Sequence, residues 1–308
     1  MENYLIAMAV SACIYALMAL GVNVIWGMAG MVNLGLAGFF AVGAYVTALL
    51  TLKLGLPIAA GMAAAALVTA VVGVLVALVT ARLRGDYLAI VTLGFAETIR
   101  IVASNTIWLT NGTDGISGIP GPYRGILSPE AFNLLYLGVA ATIVAAAYVL
   151  AERLRASPFG RVLRAIRDDE QVVAVAGKHV VMFKVKAFAF AAGALGLAGA
   201  LYAHYTSYIA PDIFVPLLTL YIKLALLAGG LGNNRGAVVG AFAVVFLLES
   251  TRFIIPWVPG LSAVQGAALR EFLIAALLIV MLRYRPQGLL PEQLRRIPAP
   301  PAPYQPTA

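Results

Sequence analysis

Nine apolar runs of membrane-span length dominate the chain. They fall at about 5–26, 31–52, 57–81, 87–105, 132–151, 186–207, 214–231, 236–254 and 267–283. Each is close to the roughly 20 residues with which an α-helix crosses about 30 Å of hydrocarbon. Continuous apolarity rich in Ala and Leu predicts helices, because a barrel would show short alternating strands. Composition agrees: 62% of the residues are hydrophobic and 11% are charged, against roughly 25% charged in a soluble domain. The expected fold is all-α, a polytopic membrane helix bundle of about nine or ten transmembrane helices. The second run has two readings. Asn33, Gly35, Gly38 and Gly43 interrupt it, so a re-entrant half-helix before the span is one option.

Charge sets the expected orientation. Lys and Arg number 21 against 13 Asp and Glu, a net charge of +8. Such a balance fits nucleic acid only where the cations share a solvated face. Here they lie between membrane-length runs, so membrane lipid is an expected neighbour and nucleic acid is not. Arg153, Arg155, Arg161, Arg164, Arg167, Lys178, Lys184 and Lys186 crowd one connection. Arg82 and Arg84 sit in a short turn, and Arg283, Arg285, Arg295 and Arg296 follow the last run. With alternating spans all three lie on one side, and the Lys/Arg excess makes that side the cytoplasm. The opposite loops, 105–131 and 207–213, hold only Arg124. Nine spans then place the C-terminus in the cytoplasm and the N-terminus outside. Met1–Tyr4 lacks a basic n-region, so the first span is expected to be retained. Residues 1–290 read as one membrane domain and 291–308 as a Pro-rich cytoplasmic tail.

The sequence lacks motifs for covalent chemistry. Gly177-Lys178 has neither the upstream glycine nor the following Ser/Thr of a phosphate loop, so nucleotide hydrolysis by this chain is not expected. No nucleophile elbow occurs, and the chain does not read as an enzyme. His179 and His204 lie on separate segments, and neither a metal nor a cofactor is expected. The lone Cys13 excludes an intrachain disulfide and reads as a small packing residue.

Four features remain. The cytoplasmic segment 153–185 is long for a connection. Ser157-Pro158 signals a helix start, after which Val162, Leu163 and Ile166 form an apolar strip beside Arg161, Arg164 and Arg167. Asp168-Asp169-Glu170 suits the N-terminus of a second helix, and Gly177 stops the run Val172 to Ala176 as a C-cap. The segment fits either a basic loop on anionic lipid or a docking helix for a cytoplasmic partner. An acidic cap followed by small and β-branched residues is a poor lipid anchor, which favours docking.

Gly232, Gly236 and Gly240 are spaced by four, which predicts a smooth helix face for close packing. A direct solute contact is the other reading. Glu97 and Arg100 share a helix face roughly 15–20 Å along their span, and Lys223 lies near the middle of its own. Each must face protein or water, because a charge at the centre of an isolated span costs about 2.5–3.5 kcal/mol. Glu97 and Arg100 are either a structural pair or the lining of a solute path. Glu249 and Arg252 repeat the spacing near the outer surface. The loop Asn105 to Ala131, with Asn111 and Asp114, is long enough to be an extracytoplasmic docking surface rather than a plain connector.

Several blocks together resemble a known family. Tyr15-Ala16-Leu17-Met18-Ala19-Leu20-Gly21-Val22-Asn23 and Gly35-Leu36-Ala37-Gly38-Phe39-Phe40-Ala41-Val42-Gly43-Ala44-Tyr45 are similar to the start of branched-chain amino-acid ABC transporter permeases. Arg84-Gly85-Asp86-Tyr87-Leu88-Ala89-Ile90-Val91-Thr92-Leu93-Gly94-Phe95-Ala96-Glu97 resembles the LivM-type subunit. Asn111–Pro120, Arg164–Gly177, Gly229-Gly230-Leu231-Gly232 and Arg285-Pro286-Gln287-Gly288-Leu289-Leu290 continue the match over about 10–290.

The resemblance implies an importer in a bacterial inner membrane, with branched-chain or other hydrophobic amino acids as the solute. The importer would hold two related permeases, two cytoplasmic ATPases that bind the ATP, and an extracytoplasmic solute-binding protein. ATPase coupling would fall on Arg164, Arg167, Asp168, Asp169, Glu170, Val173, Ala174 and Gly177, and the solute path on Glu97, Arg100, Asn23, Asn33 and Thr92. Asn233-Asn234-Arg235 and Lys223 depart from the family pattern. The alternative is an ion- or proton-coupled secondary transporter that uses Glu97 as its coupling group.

Overall fold

The computed structural model describes residues 2–83, 85–254, 263–285 and 287–292. Arg84, Pro286 and 293–308, which includes most of the Pro-rich tail, lie outside the described residues, as does the Arg252 side chain. Each of the nine apolar runs falls on a helix: α1 (Glu2–Val22), α2 (Leu36–Lys53), α3 (Ile58–Thr80) and α4 (Gly85–Asn105), then, after the short α5 (Ile107–Thr110), α6 (Pro129–Ala156). α7 (Pro158–Asp168) and α8 (Glu170–Val175) fill the basic connection, followed by α9 (Val180–Thr206), α10 (Pro216–Gly229), α11 (Asn234–Ile254) and α12 (Ala263–Tyr284). Among the described residues, seven spans are long and apolar enough to cross a membrane: Asn3–Met28, α2, α3, α4, α6, α9 and Pro211–Gly229.

The second run differs from the re-entrant half-helix considered for it. α1 passes into a π-helical turn, Asn23–Met28, and the chain then runs without helix to Gly35. Gly38 and Gly43 do not interrupt α2. They lie inside it, where a side chain would collide with Ala96 and with the backbone of Gly196. Small residues at such crossings let backbones meet, and that contact replaces the hydrophobic driving force lipid cannot provide. α9 takes the same device furthest, with Gly196 against Thr69 of α3 and Gly199 against Phe40 of α2. The core therefore sits where α9 meets α1, α2 and α3, around Leu17, Phe39, Phe40, Phe188 and Leu195.

The loops segregate to two ends. At one end, β1 (Ile116–Ser117) pairs antiparallel with β2 (Tyr208–Ile209) and ties the long 105–131 loop to the short 207–213 connection. Asn3 Nδ2 bonds Glu130 at 2.8 Å and Lys53 Nζ reaches the Trp108 carbonyl at 3.3 Å, so the N-terminal turn belongs to this end. The basic connection, the α10–α11 turn and residues 287–292 meet at the other end through Arg167, Asn23 and Asn233.

Candidate functional site

The basic connection folds as a hook of two capped helices. Ser157 closes α6 and opens α7, its hydroxyl accepting from Gly160 N at 3.3 Å with Pro158 at the first helical position. The spacing of apolar residues buries Leu163 and Ile166. Asp169 caps α8: its Oδ1 accepts from Gln171 N at 2.8 Å and from Val172 N at 3.2 Å. Gly177, at φ +76°, ends α8. Gly177 N bonds Ala174 O at 3.0 Å and Lys178 N bonds Val173 O at 3.3 Å, which satisfies the orphan carbonyls of the last turn.

Charged side chains fix the hook to the bundle. Arg164 Nη1 donates to the Arg155 carbonyl at 3.1 Å. Lys184 Nζ donates to Glu170 Oε1 at 2.8 Å. Arg167 donates to the Gly27 carbonyl and to Glu292 Oε2, the latter at 2.9 Å. The free face of α8 is apolar: Val172 and Val175 are 64% and 90% exposed, flanked by exposed Ala174 and Gly177. Val173, expected on that face, is 6% exposed and packs into the core, since at about 100° per residue it is turned away from Val172 and Val175. Asp168 is exposed, while Asp169 is committed to its cap.

The polar groups proposed for a solute path separate into three places. Glu97 and Arg100 form an ion pair one turn apart on α4, with Arg100 Nε at 3.0 Å from both carboxylate oxygens. The pair lies on the outward side of α4, its side chains about a third exposed. Asn33 and Thr92 come together beneath it, between α4 and the start of α2. Leu34 N donates to Thr92 Oγ1 at 3.0 Å and Gly35 N to Asn33 Oδ1 at 2.6 Å. Asn33 is 2% exposed and its Nδ2 has no partner.

Asn23 lies elsewhere, fully buried at the hook end. Its Nδ2 donates to Asn234 Oδ1 at 2.9 Å and its Oδ1 accepts from Gly232 N at 2.8 Å. Asn234 Nδ2 in turn reaches Glu152, which pairs with Arg155. This network holds α1, α6 and the α10–α11 turn together, so Asn23 is a structural tie in this conformation. Lys223 sits over the Trp26 ring, 4.9 Å from its centroid, where the negative ring face accepts a cation.

The glycine run also divides. Gly236 and Gly240 lie on α11, where a Cβ would meet the α10 backbone at Gly229 and Ala225. Gly232 precedes the helix, in a left-handed turn at φ +83°, so the three do not share one helix face. In the loop at the opposite end, Asn111 Nδ2 donates to the Gly115 carbonyl at 3.0 Å and holds its own turn at φ +62°. The Asp114 carbonyl accepts from Tyr208 at 3.1 Å while its carboxylate faces outward. His204, fully buried, bridges Thr47 Oγ1 at 2.9 Å and the Pro120 carbonyl at 2.6 Å, and so pins this loop to α2 and α9. Among the described residues, no three His, Cys, Asp or Glu are grouped to hold a metal.

Sequence reasoning did not single out Glu152, Asn234, His204 or Glu292 as structural partners. The spacing of Glu152 and Arg155 was a local signal for one pair. Glu292 gave none, because its partner lies 125 residues away.

A helix bundle with polar groups inside its spans and a capped, apolar-faced hook at one end defines a multi-pass membrane permease. The chain belongs to the family of permease components of branched-chain amino acid transport systems, whose model matches residues 4–282. It is 32% identical to the high-affinity branched-chain amino acid transport system permease protein LivM of Salmonella typhimurium, over 92% of this chain and 69% of that protein. Identity to a probable LivM of Methanocaldococcus jannaschii is 30%, over 91% of both chains. The LivH permease of Salmonella typhimurium is 24% identical over 90% of this chain and 91% of its own. No solved structure matches the chain.

Proposed function

We propose that the chain is one permease subunit of an ATP-driven importer of branched-chain amino acids in a cytoplasmic membrane. The observation that carries the reading is the hook, whose capped α8 presents Val172 and Val175 to solvent while its opposite side is tied to the bundle. Such a rigid apolar knob suits the groove of a soluble partner better than anionic lipid, which would select the basic face. Two cytoplasmic ATPases carry the nucleotide, and this chain contributes no catalytic group. The hook end, with residues 287–292, faces the cytoplasm, in keeping with its Lys and Arg excess. The likeness to both LivM and LivH supports a pair of related permeases, and the outer loop around Asn111 and Asp114 is the side that meets a solute-binding protein.

The solute path runs along the outward face of α4. Glu97 and Arg100 cannot face hydrocarbon without cost, and Gly94 on the same helix has open space where a side chain would be. A second permease facing this surface encloses the ion pair in a polar path with Asn33 and Thr92 behind it. ATP binding then acts through differential contacts of the hook in the two access states.

The test is co-purification and transport. Solubilised chain is expected to bring down the ATPases, and charge reversal at Asp168 to Glu170 together with Gly177→Arg is expected to abolish this. Leucine uptake in vesicles is expected to require internal ATP and external binding protein. Uptake driven by a proton gradient alone would replace this reading with a secondary transporter.

A further inference from the structure

The residues after α12 do more than leave the membrane. Residues 287–292 turn back and lie across the α10–α11 turn as a strap. Leu289 N donates to the Ala228 carbonyl at 2.9 Å and Leu290 N to the Gly229 carbonyl at 2.8 Å. These are two of the last carbonyls of α10, which have no partner within their own helix. Asn233 Nδ2 holds the strap from the other side, at 3.1 Å from Leu290 O and 3.2 Å from Pro291 O. The fit is close enough to require glycine on both surfaces. A Cβ on Gly288 would lie 2.5 Å from Gly230 Cα, and one on Gly230 would lie 2.9 Å from the Leu290 carbonyl carbon, backbone atoms that cannot swing aside.

The strap ends at the hook. Glu292 accepts from Arg167 Nη1 at 2.9 Å, and both side chains are largely covered, at 18% and 22% exposure. The same Arg167 nitrogen donates to the Gly27 carbonyl at the end of the π turn, while its Nε lies 3.6 Å from Asp168. One guanidinium therefore joins α7, the cytoplasmic end of the first span and, through Glu292, the C-terminal cap of α10. α7 and α8 are the part that meets the ATPases in the reading above, on which this inference rests.

We infer that Glu292 is a positioning residue for energy coupling, and that the strap carries displacement of the hook to α10 through the Arg167–Glu292 pair. The strap suits this role because it is bound by backbone hydrogen bonds to α10 and by a side-chain charge pair to α7. The hook cannot shift without either drawing the strap or breaking that pair. A merely packed loop would let the hook move alone.

The experiment uses the reconstituted importer with its second permease, ATPases and binding protein, with radiolabelled leucine as the probe. Uptake and ATP hydrolysis are measured together. Glu292→Ala is expected to lower uptake about tenfold, the scale of losing one charge-assisted bond, while hydrolysis stays within about twofold and ATPase co-purification is unchanged. Glu292→Gln, which keeps an acceptor, is expected to lie between. Arg167→Ala is expected to uncouple at least as strongly, and adding Glu292→Ala to it is expected to change nothing further. Additive losses, parallel falls in uptake and hydrolysis, or wild-type coupling in Glu292→Ala each overturn the proposal. Absence of ATP-driven leucine uptake by the wild-type complex overturns instead the functional reading beneath it.

Discussion

Replacing Gly240 with alanine tests how closely α10 and α11 are packed. The added Cβ would stand 2.5 Å from Gly229 N and 2.6 Å from Gly229 Cα, and nearer still to the Ala225 carbonyl. All three are backbone atoms and cannot rotate away. Ordinary contact begins near 3.4 Å, so the helices must part by more than about 1 Å, the nearer Ala225 carbonyl setting the distance. Overpacking of this kind costs about 1–3 kcal/mol. Alanine returns up to about 1 kcal/mol through helix propensity. Three backbone clashes put the overpacking at the upper end, about 3 kcal/mol, so the expected net loss is about 2 kcal/mol, roughly a thirtyfold fall in the folded-to-unfolded ratio. Gly138→Ala in α6 is the matched control, because nothing lies within 4 Å of its added Cβ. That variant is expected to be neutral or more stable by up to about 1 kcal/mol. Equilibrium unfolding of both purified variants in mixed detergent micelles gives the two signs. A Gly240→Ala protein as stable as wild type, or a Gly138→Ala protein equally weakened, would refute the close crossing. Parting the helices also displaces Gly229, whose carbonyl receives the strap.

Other perturbations read the remaining contacts. Glu97→Gln or Arg100→Gln leaves one charge on the outward side of α4, so each is expected to lower the amount of folded protein in the membrane. The scale is the roughly 2.5–3.5 kcal/mol of an unpaired charge at a span centre. The double variant should recover much of the loss, and a double variant worse than both singles would contradict the pairing. Asn23→Ala strands Gly232 N and Asn234 Oδ1 in a buried site. The expected penalty is about 1–3 kcal/mol, seen as a lower thermal midpoint. Asp169→Ala removes the cap of α8 at about 1 kcal/mol and is expected to speed hydrogen exchange at 170–176 without changing the membrane helices.

What the sequence determined by itself is the part governed by local rules. Hydrocarbon thickness and backbone hydrogen bonding turn each long apolar run into a helix, and all nine runs are helical. The hook was legible for the same reason, since Ser157-Pro158, Asp169 and Gly177 are caps that act within four residues of themselves. The loop segregation followed from charge. The tertiary structure alone decided which small and polar residues face one another. It put Gly43 against Gly196 and Gly240 against Gly229, and it moved Gly232 out of its helix and into the strap's path. It joined Asn23 to Asn234 and brought the Leu34 amide to Thr92 across 58 residues of sequence. It joined Arg167 to Glu292. Helix faces of similar apolarity can be matched in many ways, because lipid solvates them all equally well. Close backbone approach and the pairing of buried polar groups select one of those arrangements, and both depend on residues far apart in the chain.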